Sequence, residues 1–195
     1  MKPKYDLAIL IRTLHERTAK LDNLLKELHR QSNGKSVQIV WLGDNFSMSA
    51  GAKLNALRSL SQGVYSGVVD DDDIIEPNYV YSILEAIKTG KKVITFEGKQ
   101  FTNDVEDLPF VFGNYSVSHR GQYKGRNYRR NIPNHLCVWR HDVASKEKFM
   151  DINCGEDHRW AEAMQKHYTN LDIHHIDESL YIYNYNSNLT RTRRR

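Results

Sequence analysis

Four consecutive aspartates, residues 70–73, stand between the apolar run Gly67, Val68, Val69 and a second apolar pair, Ile74 and Ile75, with Pro77 just beyond. Carboxylates this close repel one another unless a cation joins them. Hard oxygen donors that leave positions open to water and phosphate suit Mg²⁺ or Mn²⁺. On an extended chain alternate side chains share a face, which pairs Asp70 with Asp72 and turns Asp71 and Asp73 the other way. A charge run in a loop is otherwise a solvated feature. This one caps a buried strand, at the carboxyl edge where open α/β sheets bind ligands.

The elements that must position these groups follow from apolar spacing. Residues 5–11 read as a first strand, and Leu21, Leu24, Leu25 and Leu28 recur at helical spacing before the Asn33-Gly34 turn. Residues 37–42 read as a second buried strand closed by Gly43-Asp44, residues 52–60 as a helix and 64–69 as a third strand. Pro77 suits the first turn of a helix carrying Val80, Ile83, Leu84 and Ile87, which Thr89-Gly90 stops, and residues 92–96 read as a fourth strand. Strands alternating with helices predict a mostly parallel sheet with helices on both faces. Residues 97–132 break the rhythm: rich in Gly, Asn, Tyr and Arg and weakly periodic, they read as a functional loop or flap. Beyond them, residues 135–140 suggest a strand. A helix from near Glu156 sets Trp160, Ala161, Met164 and Tyr168 on one face with Asp157, and residues 171–176 and 180–185 suggest two closing strands.

A chain of 195 residues fits a single domain with a real core. No apolar stretch approaches the ~20 residues of a membrane span. Met1-Lys2-Pro3-Lys4-Tyr5-Asp6 opens no secretory signal, so the expectation is a soluble, cytoplasmic protein. Two cysteines, Cys137 and Cys154, are too few for a disulfide framework or a structural zinc site, and each reads as a buried thiol. The net charge of +4 is modest but unevenly spread. Arg120, Lys124, Arg126, Arg129 and Arg130 crowd one segment, and Arg191, Arg193, Arg194 and Arg195 another, which fits an anionic partner or a solubilising tail.

Taken together, Ala8-Ile9-Leu10-Ile11-Arg12-Thr13, Val37-Gln38-Ile39-Val40-Trp41-Leu42-Gly43-Asp44, Gly51-Ala52-Lys53-Leu54-Asn55-Ala56 and Val69-Asp70-Asp71-Asp72-Asp73-Ile74-Ile75-Glu76-Pro77 resemble, in order and spacing, the nucleotide-sugar half of family 2 glycosyltransferases with the GT-A fold. Gly155-Glu156-Asp157 resembles that family's Glu-Asp motif, and Leu180-Tyr181-Ile182-Tyr183 its final strand. The resemblance covers nearly the whole chain except residues 97–132. It implies one GT-A (Rossmann-like) domain over residues 1–195, with 1–96 binding the nucleotide sugar and 97–195 on the acceptor side.

Carried over residue by residue, the resemblance implies donor contacts at Thr13 and at Asp44, the latter on the nucleotide base, usually uracil. Local sequence reads Asp44 equally well as an Asx turn. Asp70 and Asp72 correspond to the Asp-x-Asp pair, Asp70 nearer the ribose and Asp72 on a Mn²⁺ or Mg²⁺ ion that stabilises the departing diphosphate. Asp73 either reaches the metal through water or caps the next helix. Lys53, at the start of a helix, could present its amine and the helix's free N–H groups to the diphosphate, or be a plain surface lysine. Asp157 is implied as the base of an inverting transfer, against the alternative that Glu156 and Asp157 merely favour a helix N-terminus. Glu156 points about 100° away and would not share the role. A histidine on the metal in some relatives implies His174 or His175, of which an alternating strand lets one face the site; His175 is taken as the ligand, against the equal alternative that both are packed or surface histidines. Arg12 departs from the family's usual proline, and the basic segment replaces the usual acceptor region.

Tyr115, Tyr123 and Tyr128 interleave with the five cations of residues 114–134, a pattern that can track phosphates and stack on bases. The expected acceptor is therefore a hydroxymethylated pyrimidine in DNA, ahead of a glycan or protein hydroxyl. Two other classes compete. A sugar nucleotidyltransferase would carry a Gly-rich loop after the first strand, where this chain has Thr13-Leu14-His15-Glu16-Arg17. A non-catalytic nucleic-acid-binding module would explain the basic segment but not the ordered acidic motifs.

Overall fold

The computed structural model describes residues 3–115 and 118–186; the basic tail at residues 191–195 lies outside them. The chain runs β1 (Tyr5–Leu14), α1 (Thr18–Ser32), β2 (Val37–Asp44), α2 (Ala50–Leu60), β3 (Gly63–Val68), β4 (Ile74–Ile75), α3 (Tyr79–Ile87) and β5 (Val93–Thr102). It continues through β6 (Val105–Glu106), β7 (Phe110–Phe112), β8 (His119–Tyr123), β9 (Arg126–Asn131), β10 (Val138–Arg140), α4 (His141–Ala144), α5 (Glu156–Met164) and β11 (Ile173–Tyr185).

These strands form one mixed sheet in the order β2-β1-β3-β10-β5-β7-β9-β8, with β11 along β5 and β4. β1 is central: Leu7, Ala8, Ile9, Leu10 and Ile11 are all buried, as a strand covered on both faces requires. It pairs in parallel with β2 on one side and β3 on the other, and β11 runs parallel to β5. Between those groups β10 enters antiparallel to both β3 and β5. α1 buries Leu21, Leu24 and Leu28 and packs on α3, while α2 packs on β1, β2 and α5. Around α5, Trp160 stacks on Phe149 and meets Trp139 edge to face.

Residues 97–132 are not an irregular flap. They hold the second half of β5, then β6 and β7, and the β8–β9 hairpin. The hairpin turns on two residues, Lys124 (φ +50°) and Gly125 (φ +74°), between paired Tyr123 and Arg126. Asn-Gly is the usual signature of such a turn; lysine at its first position conceals it. The two closing strands are one, β11, whose register against β5 shifts between Ile176 and Ser179 and again between Ser179 and Tyr181. Cys137 is buried as expected, but Cys154 is exposed.

Candidate active site

The carboxyl ends of β1, β2 and β3 bring Arg12, Thr13, Asp44 and Asp70 to one edge, since Leu14 lies beside Asp44 and the Val69 amide donates to the Leu10 carbonyl at 3.0 Å. Here the four aspartates depart from the expected alternation. The Asp73 amide donates to the Asp70 carbonyl at 3.2 Å, closing a turn, so no extended face is shared.

Each carboxylate has a partner, though Asp71 and Asp72 share one. Asp70 accepts from Arg12 Nε at 2.9 Å and lies 3.5 Å from His135 Nε2. Asp71 accepts from Thr13 Oγ1 at 2.6 Å and Arg17 Nη1 at 2.8 Å, and the same Arg17 nitrogen reaches Asp72 at 3.1 Å. Asp73 accepts from Tyr181 Oη at 2.8 Å and the Asn184 amide at 2.9 Å. Burial raises Asp70, but the Arg12 charge and His135 outweigh it and hold the carboxyl far below the ordinary range. Asp73 goes the other way, driven well up by burial and the neighbouring Asp70 charge.

Arg12 also pairs with Glu156 on the first turn of α5, so one buried guanidinium joins the aspartate run to the Glu-Asp motif. Glu156 is buried and Asp157 is partly exposed, as their angular separation on a helix requires. Asp157 accepts from its neighbour's amide, His158 N, at 2.8 Å, and its other oxygen lies 3.8 Å from His135 Nδ1. The buried His135 thus stands between Asp70 and Asp157. Sequence reading overlooked both it and Arg17.

Lys53 is no surface lysine: it is 5% exposed, pairs with Asp44 and donates to the Thr13 carbonyl at 3.0 Å. Asp44 also accepts from Ser47 Oγ at 3.0 Å and the Met48 amide at 2.6 Å, an Asx-type turn. Against burial, Lys53, Met48 and Ser47 hold Asp44 at about 2. The expectation of free N–H groups at this helix start is corrected. Ala50 N donates to Asn153 Oδ1, Gly51 N to the Ile152 carbonyl and Ala52 N to Ser49 Oγ. Gly51 permits this contact, since a Cβ there would lie 1.8 Å from the Met150 carbonyl oxygen.

Of the four carboxylates Asp72 is the most exposed, 28% at its side chain. It is raised first by burial and then, against the pull of Arg17, by the charges of Asp70 and Asp71. A carboxylate short of positive charge fits Mg²⁺ or Mn²⁺, which need only one or two carboxylates when substrate phosphates complete the shell. His175 is not brought to Asp72. It pairs in register with Thr95 and, among the described residues, gathers with Glu97 and Asp177. Burial holds its ring below the ordinary imidazole range. The basic segment is also partly spent: Lys124 pairs with Glu97 and Asp177, Arg129 with Asp107, and Arg130 stacks over Tyr115, while Arg120 and Arg126 are exposed. A cleft of about 550 Å³, lined by Asp6, Lys35, Val64 and Tyr81, lies at the opposite, amino ends of the strands.

No protein-family model and no curated protein sequence matches the chain. Among solved structures it is similar to S. aureus TarS 1-349, with a TM-score of 0.57 and 14% identity over 94% of this chain and 60% of that one. The complex of TarS 1-349 with UDP gives 0.58 at 14% identity over 94% and 60%, and the complex with UDP-GlcNAc 0.54 at 15% over 94% and 58%. This chain thus spans about 60% of the TarS segment. At such identity the likeness establishes the fold, a mixed Rossmann-like α/β sheet flanked by helices.

Proposed function

We propose that the chain is an inverting glycosyltransferase that moves a sugar from a nucleoside diphosphate sugar, of the UDP class, to an acceptor hydroxyl. The observation that carries the reading is the link made by Arg12 and His135, which draws Asp70, Glu156 and Asp157 into one cluster at the carboxyl edge of β1 and β3. The fold shared with TarS, solved in complex with UDP and with UDP-GlcNAc, supports it. Residues 1–96 supply the donor side. Thr13, Asp44 and Asp70 frame the nucleotide, and Lys53 orders that wall by tying the ends of β1 and β2 together. Asp157 takes the proton from the acceptor hydroxyl as its oxygen bonds to the anomeric carbon. The bond from that carbon to the diphosphate oxygen breaks on the opposite side, and the nucleoside diphosphate leaves with the electron pair. Asp72 would hold a Mg²⁺ or Mn²⁺ ion, whose charge would stabilise the departing diphosphate. A cytoplasmic location belongs to this reading; among the described residues no helix is long and apolar enough to cross a membrane.

For the acceptor, the internal engagement of the basic segment favours a glycan hydroxyl over modified DNA, because Lys124 and Arg129 are paired with carboxylates within the chain and Arg130 is stacked on Tyr115. Incubation with UDP-sugars, with and without Mn²⁺, tests the reaction: release of UDP is expected. Release of pyrophosphate instead identifies a nucleotidyltransferase, and no turnover a binding module. Offering neutral oligosaccharides beside duplex carrying hydroxymethylated pyrimidines decides the acceptor, with sugar transfer to the oligosaccharide expected.

A further inference from the structure

We infer that Glu97, His175 and Asp177 form a second divalent-cation site, separate from the aspartate run and closed by the ammonium of Lys124. One ligand atom from each of the three lies within 4.8 Å of the others, against the ~3.4 Å that separates two donors on a tetrahedral ion with bonds near 2.1 Å. Modest side-chain adjustment closes that gap.

The histidine is prepared for such a role. Its Nδ1 lies 2.9 Å from the hydroxyl of fully buried Thr95, and in the tautomer whose Nδ1–H donates to that hydroxyl Nε2 carries an unused lone pair. Nε2 is itself buried and has no hydrogen-bond partner. A ligating imidazole typically has its other nitrogen fixed in this way. Glu97 is likewise oriented from behind, by the Tyr128 hydroxyl at 2.9 Å.

Lys124 already shows where a positive charge belongs. Its ammonium lies 2.7 Å from Glu97 and pairs with Asp177, reaching both from the tip of the β8–β9 hairpin. A divalent ion carries twice that charge and can in addition accept the His175 lone pair, which an ammonium cannot. One nitrogen and two oxygen donors select a borderline ion such as Zn²⁺ over Mg²⁺ or Ca²⁺. Thr95, Tyr123 and His175 also line a cleft of about 310 Å³, into which the ion's remaining positions would open.

This site and the aspartate run are distinct. Phe96 packs against Tyr79 and Tyr181, so its neighbours Thr95 and Glu97 face the other side of the sheet. His175 is also six residues along β11 from Tyr181, on the order of 15–20 Å at strand rise.

Calorimetric titration of the purified chain with Zn²⁺ alone tests the inference without reference to turnover. Expected are one equivalent bound, affinity reduced by about 10–100-fold or more in both His175→Ala and Glu97→Gln, tighter binding in Lys124→Ala, and this binding retained in Asp72→Asn. Circular dichroism checks that each variant is folded. Unchanged affinity in His175→Ala overturns the inference, as does binding in Lys124→Ala no tighter than in the parent chain. Zinc binding lost in Asp72→Asn but kept in His175→Ala overturns it too, and leaves the proposed transferase reading untouched.

Discussion

Replacing Arg12 with methionine tests the structural link at the centre of the site. Arg12 and its two carboxylate partners are 23%, 14% and 5% exposed at their side chains, so all three charges are largely withdrawn from solvent. Removing one partner of such a group strands the others, at a cost of about 3–5 kcal/mol. In a chain of this length that lowers the midpoint of thermal unfolding by about 6–20 °C.

The cost has a characteristic pH dependence. In the folded parent the Asp70 carboxyl is depressed, despite burial, by Arg12 and His135. A depressed carboxylate contributes stability that is fully present above its unfolded value, ~3.9, and is lost as pH falls through the folded value. In Arg12→Met the larger part of that depression is removed and burial raises Asp70 above the unfolded value, so the variant's deficit is greatest near pH 7 and is already smaller at pH 4, as Asp70 protonates. Adding Glu156→Gln removes one stranded charge and recovers part of the loss. Arg12→Lys falls between, since one ammonium cannot present the two separate nitrogens that Asp70 and Glu156 use. Urea unfolding at pH 7 and pH 4 measures all four proteins. A deficit under about 1 kcal/mol, or one of equal size at both pH values, refutes a stabilising role for this buried network.

Asp72→Asn should abolish metal-dependent donor binding while leaving the fold intact, as measured by UDP titration with and without Mn²⁺; equal UDP affinity in the parent chain under both conditions counts against the assignment. Asp157→Asn should bind donor normally and transfer slower by about 10²–10⁴-fold, as loss of a general base does. Failure to bind donor would make Asp157 structural. Asp73→Asn should be at least as stable as the parent at pH 7 and lose that advantage by pH 4. Its raised carboxyl subtracts stability as pH climbs from the unfolded value through the folded one, and an amide does not; a variant less stable at pH 7 by thermal unfolding contradicts this. Neutralising exposed Arg120 and Arg126 together should leave UDP release unchanged, and a flattened salt dependence of duplex binding in that variant would restore DNA as the acceptor.

What sequence disclosed here and what it concealed divide along a physical line. The elements from β1 through α3 follow from local periodicity, because Leu7, Ala8, Ile9, Leu10 and Ile11 form an unbroken buried run and Leu21, Leu24 and Leu28 mark one helical face. β8 and β9 were hidden because a half-solvated hairpin has no apolar face to alternate, and β11 looked like two strands because its register slips near polar Asp177 and Glu178. The acidic residues of the site were legible by type and order, yet their state was not. Arg12 reaches Asp70 across 58 positions and Glu156 across 144, and Arg17 reaches Asp71 across 54. No local pattern encodes those distances. The same holds for His175: a metal-ligand residue type was recognisable in the sequence, but the strand pairing that sets it beside Thr95 carries it to Glu97 and Asp177 rather than to Asp72. Residue type therefore bounded the chemistry open to each side chain, while the register of β11 on β5 determined which carboxylates His175 can meet.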